Sequence, residues 1–159
     1  MSGVEQLAAL LLARGWMLAT AESCTGGLIA AACTDLAGSS AWFDRGFVTY
    51  SYPSKTDLLD VAQPMLEQHG AVSEPVARAM VLGAVRHSQA RVAVAVTGIA
   101  GPAGATADKP VGTVWFAYAV DGAVGSECVH FGGDRAAVRA ATVRHAIEGL
   151  ASRLRDQAA

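Results

Sequence analysis

The sequence predicts an α/β fold in which helices cover a mostly parallel sheet that ends in one antiparallel hairpin. Segments with helical periodicity alternate with short apolar segments along the chain, which is typical of layered α/β domains. The continuous valine and alanine run over 91–97 indicates a strand that is buried on both faces. Asp121-Gly122 separates two further strand-like segments and is a strong signal for a hairpin turn.

The first third of the chain contains two predicted strands and two predicted helices. Helical periodicity covers 4–14, and a short apolar strand follows over 16–21. A helix rich in alanine and leucine is predicted over 25–36, before the break at Gly38-Ser39-Ser40. The aromatic and β-branched residues of 42–51 predict the second strand.

The middle of the chain is predicted to be helical. Two short helices are expected over 54–59 and 63–69, the first of them beginning at Pro53 or Ser54. A longer helix is predicted over 73–88, because a capping hydroxyl at Ser73 is followed by an acid and a first-turn proline.

The last third contains the buried strand, a loop, the hairpin and a final helix. The loop over 98–109 is rich in glycine, and the two hairpin strands are predicted over 111–120 and 124–131. The final helix is predicted over 134–155, with Asp134 as its N-cap.

The composition predicts one globular domain over 1–159, since 52% of the residues are hydrophobic and only 16% are charged. A net charge of -2 with scattered arginines excludes a nucleic-acid interface. No secretory signal or membrane-length apolar run is present, so we expect a cytoplasmic protein with reduced cysteines and no membrane contact. The generous hydrophobic content is compatible with a homodimer.

A loop of small polar residues after the first predicted strand contains a candidate nucleophile, Ser23. The backbone N–H groups of Thr25, Gly26 and Gly27 follow it without large side chains in the way, which suits an oxyanion hole or an anion cradle. Simple helix capping by Ser23 or Thr25 explains the same residues, and the loop alone does not separate the two interpretations.

Lys55 is the candidate base for Ser23. Lysine occurs only at 55 and 109, whereas the other ten basic residues are arginine, which does not lose its proton near neutral pH. Lys55 follows a predicted strand at a helix start, where burial and the helix dipole both lower the pKa of an amine. The competing interpretation is a solvated lysine. Tyr50 and Tyr52 nearby are then strand packing instead of a proton relay.

The second glycine-rich loop is a candidate sugar or phosphate site. Thr97, Gly98 and Gly101 allow a ligand to approach the backbone closely, and Lys109 is near enough in sequence to neutralise an anion. Arg135, at the start of the last helix, is a candidate for bidentate phosphate binding. The competing interpretations are a plain turn between two strands and a surface arginine.

Metal and dinucleotide sites have no support in the sequence. The spacings Cys-x-x-Cys, His-x-x-x-His and His-Glu-x-x-His are absent, as are Gly-x-Gly-x-x-Gly and the P-loop pattern. The four histidines fall on predicted helices or strands, and no Gly-x-Ser-x-Gly elbow is present.

Six segments, taken in order, resemble the nicotinamide-nucleotide amidases, a family that is also the carboxy-terminal domain of the CinA competence/damage-inducible proteins. The resemblance covers nearly the whole chain. The segments are 20–27, 38–43, 46–51, 69–76, 97–102 and 109–115.

The resemblance implies a three-layer α/β/α sandwich with a mixed, mostly parallel five-stranded sheet. It implies hydrolysis of nicotinamide mononucleotide to nicotinate mononucleotide and ammonia, through an acyl-enzyme, without metal or cofactor. By this similarity Ser23 corresponds to the nucleophile, Lys55 to its base and Tyr50 to the family's tyrosine, with Tyr52 as the alternative. The implied oxyanion and substrate contacts are Cys24, Thr25, Gly26, Gly27, Thr97, Gly98 and Arg135.

Two departures from the family pattern stand out. The second loop has Ala103-Gly104-Ala105 where the family has Asp-Gly-Gly, which puts the shape of that loop in question. Many relatives also carry an amino-terminal nucleotide-hydrolysing domain. The sequence shows no segment that resembles one, so we expect a stand-alone enzyme. The rival hypotheses are an inactive nucleotide-binding or regulatory module and a cysteine hydrolase that uses Cys24.

Overall fold

The computed structural model describes residues 1–157, and within them six α-helices surround a five-stranded sheet. In chain order the elements are α1 (Gly3–Arg14), β1 (Leu18–Glu22), α2 (Leu28–Thr34), β2 (Phe43–Val48), α3 (Tyr52–Leu59), α4 (Gln63–His69), α5 (Glu74–Arg86), β3 (Val92–Gly98), β4 (Thr113–Val120), β5 (Ala123–His130) and α6 (Arg135–Asp156), with one 3-10 turn at Ser39–Ala41.

The sheet has the strand order β2-β1-β3-β4-β5. β2, β1 and β3 are parallel to one another, while β4 is antiparallel to both of its neighbours. Four strands therefore run in one direction and β4 alone runs in the other. The prediction of a mostly parallel mixed sheet with one hairpin is confirmed.

The two faces of the sheet carry different side chains, and each face is covered by three helices. In β3, Val92, Val94 and Val96 pack into the cluster formed with α1, α2 and α6. Ala93 and Ala95 point to the opposite face, into the cluster formed with α3, α4 and α5. The alternation follows from the two-residue period of a strand, and it produces the three-layer arrangement that was expected.

The alanine face lets helix α5 lie close to the sheet and to α3. Gly83 of α5 faces the backbone of Leu59, the last residue of α3, and a Cβ at position 83 would lie 2.0 Å from the Leu59 carbonyl oxygen. This contact holds α3, and with it Lys55, at a fixed distance from the sheet.

Helix α2 begins at Leu28 and not at Thr25 as predicted. Gly26 and Gly27 have φ angles of 59° and 107°, which are left-handed conformations that glycine adopts without strain. The residues from Ser23 to Gly27 are therefore a tight turn outside the helix.

Helix α3 also begins earlier than predicted. Ser51, rather than Pro53 or Ser54, is the N-cap, and its hydroxyl forms a reciprocal capping box with Ser54. β2 ends at Val48, so Tyr50 lies on the connecting loop and not in a strand.

The two predicted caps of the longer helices have different outcomes. Asp134 caps α6 by accepting a hydrogen bond from the Ala137 N–H at 2.9 Å. Ser73 precedes α5 as predicted, but its hydroxyl donates to the Gly70 carbonyl at 2.8 Å and forms no cap. Among residues 1–157, no helix is long and apolar enough to span a membrane.

The substitution Gly83→Ala tests the close approach of α5 and α3. We expect it to lower the free energy of unfolding by about 2 kcal/mol, because the added methyl overlaps backbone that cannot rotate away. Urea denaturation followed by circular dichroism measures the change. Gly132→Ala is the matched control, since no atom lies within 4 Å of a Cβ at that position. Equal stability of the two variants would contradict the prediction.

Candidate active site

The candidate site lies at the edge of the sheet where the three parallel strands end. Ser23 follows β1, Thr97 and Gly98 close β3, and Thr49 and Tyr50 follow β2. The ends of parallel strands are the usual ligand position in open α/β sheets, so the fold itself brings these residues together.

The loop from Ser23 to Gly27, called the nucleophile loop below, is held to the sheet by its first residue. The Ser23 N–H donates to the Val96 carbonyl at 3.1 Å, which continues the pairing of β1 with β3. The Gly26 N–H donates back to the Ser23 carbonyl at 3.1 Å and closes the turn. The Ser23 side chain therefore starts from a backbone position that the sheet determines.

Glu22 anchors the inner side of this loop. Its fully buried carboxylate accepts hydrogen bonds from the Thr25 hydroxyl at 2.5 Å and from the Ile29 and Ala30 N–H groups at 2.9 and 3.0 Å. The last two are orphan donors of the first turn of α2, where a negative charge is favourable. One carboxylate thus ties β1, the nucleophile loop and α2 together.

Lys55 reaches Ser23 from helix α3. Its side chain is completely buried, and its Nζ lies 3.0 Å from Ser23 Oγ. The same nitrogen donates to the carbonyls of Thr49 at 2.5 Å and Tyr50 at 3.4 Å. The competing interpretation of Lys55 as a solvated side chain is wrong, because no part of the residue is accessible to solvent.

Burial decides the electrostatics of Lys55. Desolvation lowers the pKa of the Lys55 amine from 10.5 to about 8, since the charged form loses hydration. Among the ion pairs of residues 1–157, none involves Lys55, so no carboxylate offsets this effect. A pKa lowered toward neutrality is the property that a general base needs.

Cys24 has the opposite character. Burial raises the pKa of its thiol to about 11, so the thiolate is scarce at neutral pH. A thiol in this state is a poor nucleophile. The cysteine-hydrolase hypothesis has no support from the geometry.

A cleft of about 270 Å³ opens in front of Ser23. Six of the predicted site residues line it, namely Ser23, Cys24, Tyr50, Thr97, Gly98 and Arg135. Thr25, Gly26 and Gly27 are not part of its wall; they close the turn that follows Ser23 and Cys24. Residues that the sequence did not single out complete the wall, among them Ala71, Val72 and Ile99.

The cleft distinguishes Tyr50 from Tyr52. The Tyr50 hydroxyl accepts a hydrogen bond from the Arg135 guanidinium at 3.0 Å. The Tyr52 hydroxyl instead accepts from the Ala71 N–H at 3.2 Å, and Tyr52 lines a different depression beside α4. Tyr50 approaches Lys55 only through its carbonyl, and its phenol lies at the mouth of the cleft.

Arg135 joins the loop that follows β2 to the turn around Gly101 at the mouth of the cleft. Besides Tyr50, its guanidinium donates to the Gly101 carbonyl at 3.0 Å. Thr97 is buried in the wall, where its hydroxyl donates to the Ala71 carbonyl at 2.9 Å. Arg135 is thus the cation of the cleft wall.

The altered second loop supplies small side chains to the cleft. Ala103 and Gly104 belong to its wall, so a methyl group stands where a carboxylate was expected from the family pattern. Lys109 is engaged elsewhere, since its Nζ donates to the His69 carbonyl at 2.9 Å. The suggestion that Lys109 neutralises a bound anion has no support from this contact.

Arg139 is a residue near the site that the sequence reasoning missed. Its Nε donates to the Cys24 carbonyl at 3.1 Å, and its Nη2 donates to the Thr25 carbonyl at 3.3 Å. Its position four residues after Arg135, on the same face of α6, is the sequence signal that could have identified it.

No histidine belongs to the cleft wall, and within residues 1–157 no group of three metal-ligating side chains is present. His87 and His145 are paired with Asp60 and Glu127 at 2.6 Å, away from Ser23. Among the described residues, Lys55 is therefore the side chain that can accept the Ser23 proton.

Comparison with known proteins identifies close relatives. Residues 2–154 match the family described as the CinA C-terminal domain. The chain is 55% identical over 152 residues to the nicotinamide-nucleotide amidohydrolase PncC of Enterobacter agglomerans, covering 95% of this chain and 91% of that protein. It is 52% identical over 149 residues to the protein of the same name from Escherichia coli K12, covering 92% and 89%.

Solved structures show the same fold. A competence-damaged protein (CinA) superfamily protein from Klebsiella pneumoniae superposes with a TM-score of 0.93 at 40% identity, over 98% of this chain and 99% of that one. The competence/damage inducible protein CihA from Agrobacterium tumefaciens superposes with a TM-score of 0.89 at 48% identity, over 98% and 97%. The three-layer sandwich with its mixed sheet is therefore shared at high similarity.

The substitution Glu22→Gln tests the inner anchor of the nucleophile loop. We expect a loss of about 2 kcal/mol in the free energy of unfolding, because an amide nitrogen then faces the Ala30 N–H and a charge-assisted bond is lost. Chemical denaturation measures the loss. Glu148→Gln, at an exposed position of α6, is the control and should change stability little. A Glu22→Gln variant as stable as this control would contradict the anchoring role.

Proposed function

The chain belongs to the CinA C-terminal domain family, and we propose that it is an amidohydrolase that converts nicotinamide mononucleotide to nicotinate mononucleotide and ammonia. The names of two relatives, at 55% and 52% identity, support the substrate. One observation carries the chemistry: a fully buried Lys55 amine lies 3.0 Å from a serine hydroxyl at the wall of a cleft.

The hydrogen bonds of Lys55 suit a base that exchanges one proton with Ser23. A neutral amine has two N–H groups and one lone pair. The carbonyls of Thr49 and Tyr50 accept from the two N–H groups, which leaves the lone pair for the Ser23 hydroxyl. After proton transfer, the ammonium has three donors for three acceptors, so both protonation states are satisfied without rearrangement.

In the first half of the reaction, Ser23 Oγ attacks the carboxamide carbon while Lys55 takes the hydroxyl proton. The carbonyl oxygen becomes an oxyanion, which backbone N–H groups at the start of the nucleophile loop would stabilise. Lys55 then returns its proton to the departing nitrogen, the carbon–nitrogen bond breaks, and ammonia leaves an ester on Ser23.

In the second half, Lys55 is again neutral and activates a water molecule. The hydroxide attacks the ester carbon, the bond to Ser23 Oγ breaks, and the serine recovers its proton from Lys55. Nicotinate mononucleotide is released. Water is the only co-reactant that the atom balance requires.

The cleft wall supports the assignment of the substrate contacts. The cationic Arg135 would attract the phosphate of the nucleotide, while Thr97 and Gly98 belong to the wall that a bound ligand would contact. Tyr50 would position Arg135 through its hydroxyl, and this is the role that its contacts support.

Variants of Ser23 and of the two lysines test the proposed nucleophile and base. We expect Ser23→Ala and Lys55→Met to lower the rate of ammonia release from nicotinamide mononucleotide by at least about 10³-fold, because the first removes the nucleophile and the second removes the base that activates it. Lys109→Met removes the chain's other lysine and should retain near wild-type activity. The rates are measured on the purified protein without added metal.

The alternative hypothesis of an inactive nucleotide-binding module predicts a different result. Folded wild-type protein would then bind the nucleotide without releasing ammonia. Activity of Lys55→Met equal to that of Lys109→Met would instead reject Lys55 as the base while leaving the substrate assignment intact.

The pH dependence of the reaction tests the protonation state of Lys55. Because the base must be neutral and the pKa of Lys55 is about 8, kcat/KM should rise about tenfold per pH unit below that value and level off above it. Initial rates between pH 5.5 and 10, taken in constant-ionic-strength buffers, give the profile. A midpoint near 6.5, which is typical of histidine, would contradict the assignment.

A further inference from the structure

Arg139 holds the outer side of the nucleophile loop, and we propose that it is a positioning residue that orients the backbone donors of the oxyanion hole. The oxyanion hole is that of the amide hydrolysis proposed above, and in this respect alone the inference rests on the proposed function. Its basis is a pair of contacts: the guanidinium donates to two successive carbonyls of the loop, those of Cys24 and Thr25.

Peptide planarity turns these two contacts into a constraint on the N–H groups. In a trans peptide the carbonyl and the N–H point in opposite directions, so fixing one fixes the other. Arg139 draws the Cys24 carbonyl outward, and the Thr25 N–H of the same peptide must point away from the guanidinium. The Thr25 carbonyl is drawn outward too, while the Gly26 N–H of that peptide donates to Ser23.

The N–H groups of Cys24 and Thr25 are the donors left over by this arrangement. Among residues 1–157, no other residue accepts a hydrogen bond from either of them. They directly follow the nucleophile. The Thr25 N–H belongs to the peptide whose Cys24 carbonyl Arg139 holds, and the Cys24 N–H belongs to the adjoining peptide, whose Ser23 carbonyl accepts from the Gly26 N–H. A charged donor on the carbonyl also polarises the peptide, which makes its N–H a stronger donor.

Arg139 does not belong to the wall of the cleft in front of Ser23. It lines a neighbouring cavity of about 660 Å³, together with Arg135 and the turn around Gly101. It therefore contacts the loop from this neighbouring cavity and not from the cleft in front of Ser23. A residue in this place affects the transition state through the loop, whereas a substrate-binding arginine would affect affinity.

The experiment compares Arg139→Met, Arg139→Lys and Arg144→Met in the chain of 159 residues. Arg144 lies on the same helix at an exposed position and serves as the matched control. For Arg139→Met we expect kcat for nicotinamide mononucleotide to fall about 10- to 100-fold, because misplaced oxyanion donors lose most of their effect. KM, the affinity for nicotinate mononucleotide and the midpoint of the pH profile should remain near wild type.

Two rescue measurements separate positioning from general damage to the fold. Ethylguanidinium, which can enter through the neighbouring cavity, should restore part of the kcat lost in Arg139→Ala, where the side chain is removed, and leave Arg144→Ala unchanged. Arg139→Lys should recover less, because an ammonium cannot hold two carbonyls with a planar fork. Thermal denaturation verifies that each variant is folded at the assay temperature.

Acylation by p-nitrophenyl acetate makes the test independent of the nucleotide. The burst of nitrophenolate reports ester formation on Ser23, and it should be slower in Arg139→Met. If wild type deamidates no nucleotide but this burst slows, the proposed function fails and the role of Arg139 stands. If wild type neither deamidates the nucleotide nor releases nitrophenolate from the ester, Ser23 is not activated and both proposals fall.

Three results would overturn the role of Arg139. A rise in KM and in the dissociation constant of nicotinate mononucleotide with unchanged kcat would make Arg139 a substrate-binding residue. A shift in the pH midpoint would mean that it acts through Lys55. An unchanged kcat and burst would remove it from the machinery altogether.

Discussion

The interaction on which the site depends is the hydrogen bond between a buried lysine amine and a serine hydroxyl. Lys55 is fully buried and pairs with no carboxylate among residues 1–157, so its charged form is disfavoured and its pKa falls to about 8. Such burial is costly, and the carbonyls of Thr49 and Tyr50 offset part of the cost. The position of α3 fixes the position of this amine, because the helix begins after its N-cap Ser51 and ends against Gly83 of α5.

The nucleophile loop shows how a short turn can be made rigid without a large core of its own. Glu22 holds it from the inside through a hydroxyl and two helix-start N–H groups, while Arg139 holds it from the outside through two carbonyls. The anionic Glu22 thus accepts hydrogen bonds from backbone N–H groups, and the cationic Arg139 donates to backbone carbonyls. Each makes charge-assisted hydrogen bonds, which are stronger than neutral ones and are well suited to fix peptide planes.

The parallel strands of the sheet and the difference between its two faces together determine where the site lies. Because β1, β2 and β3 are parallel, their carboxyl ends lie at one edge of the sheet. Ser23, Thr49 and Thr97 come together at this edge from three separate segments of the chain. The alanines of β3 allow α5 to approach one face closely, and its valines fill the other face against α6. α6 in turn carries Arg135 and Arg139 to the same edge. The core packing and the position of the site therefore have a common origin.

The sequence by itself determined the order of the elements, the mixed sheet and the identity of Ser23 and Lys55 as candidates, because periodicity, hairpin signals and the scarcity of lysine are local properties. It placed the start of α2 too early, because the left-handed Gly26 and Gly27 delay the helix, and the start of α3 too late, because Ser51 is its N-cap. The distance between Ser23 and Lys55, the exclusion of Tyr52 from the cleft and the contacts of Arg139 were decided only by tertiary structure. These pairs are separated by dozens of residues, and which of them meet depends on how whole helices pack against the sheet.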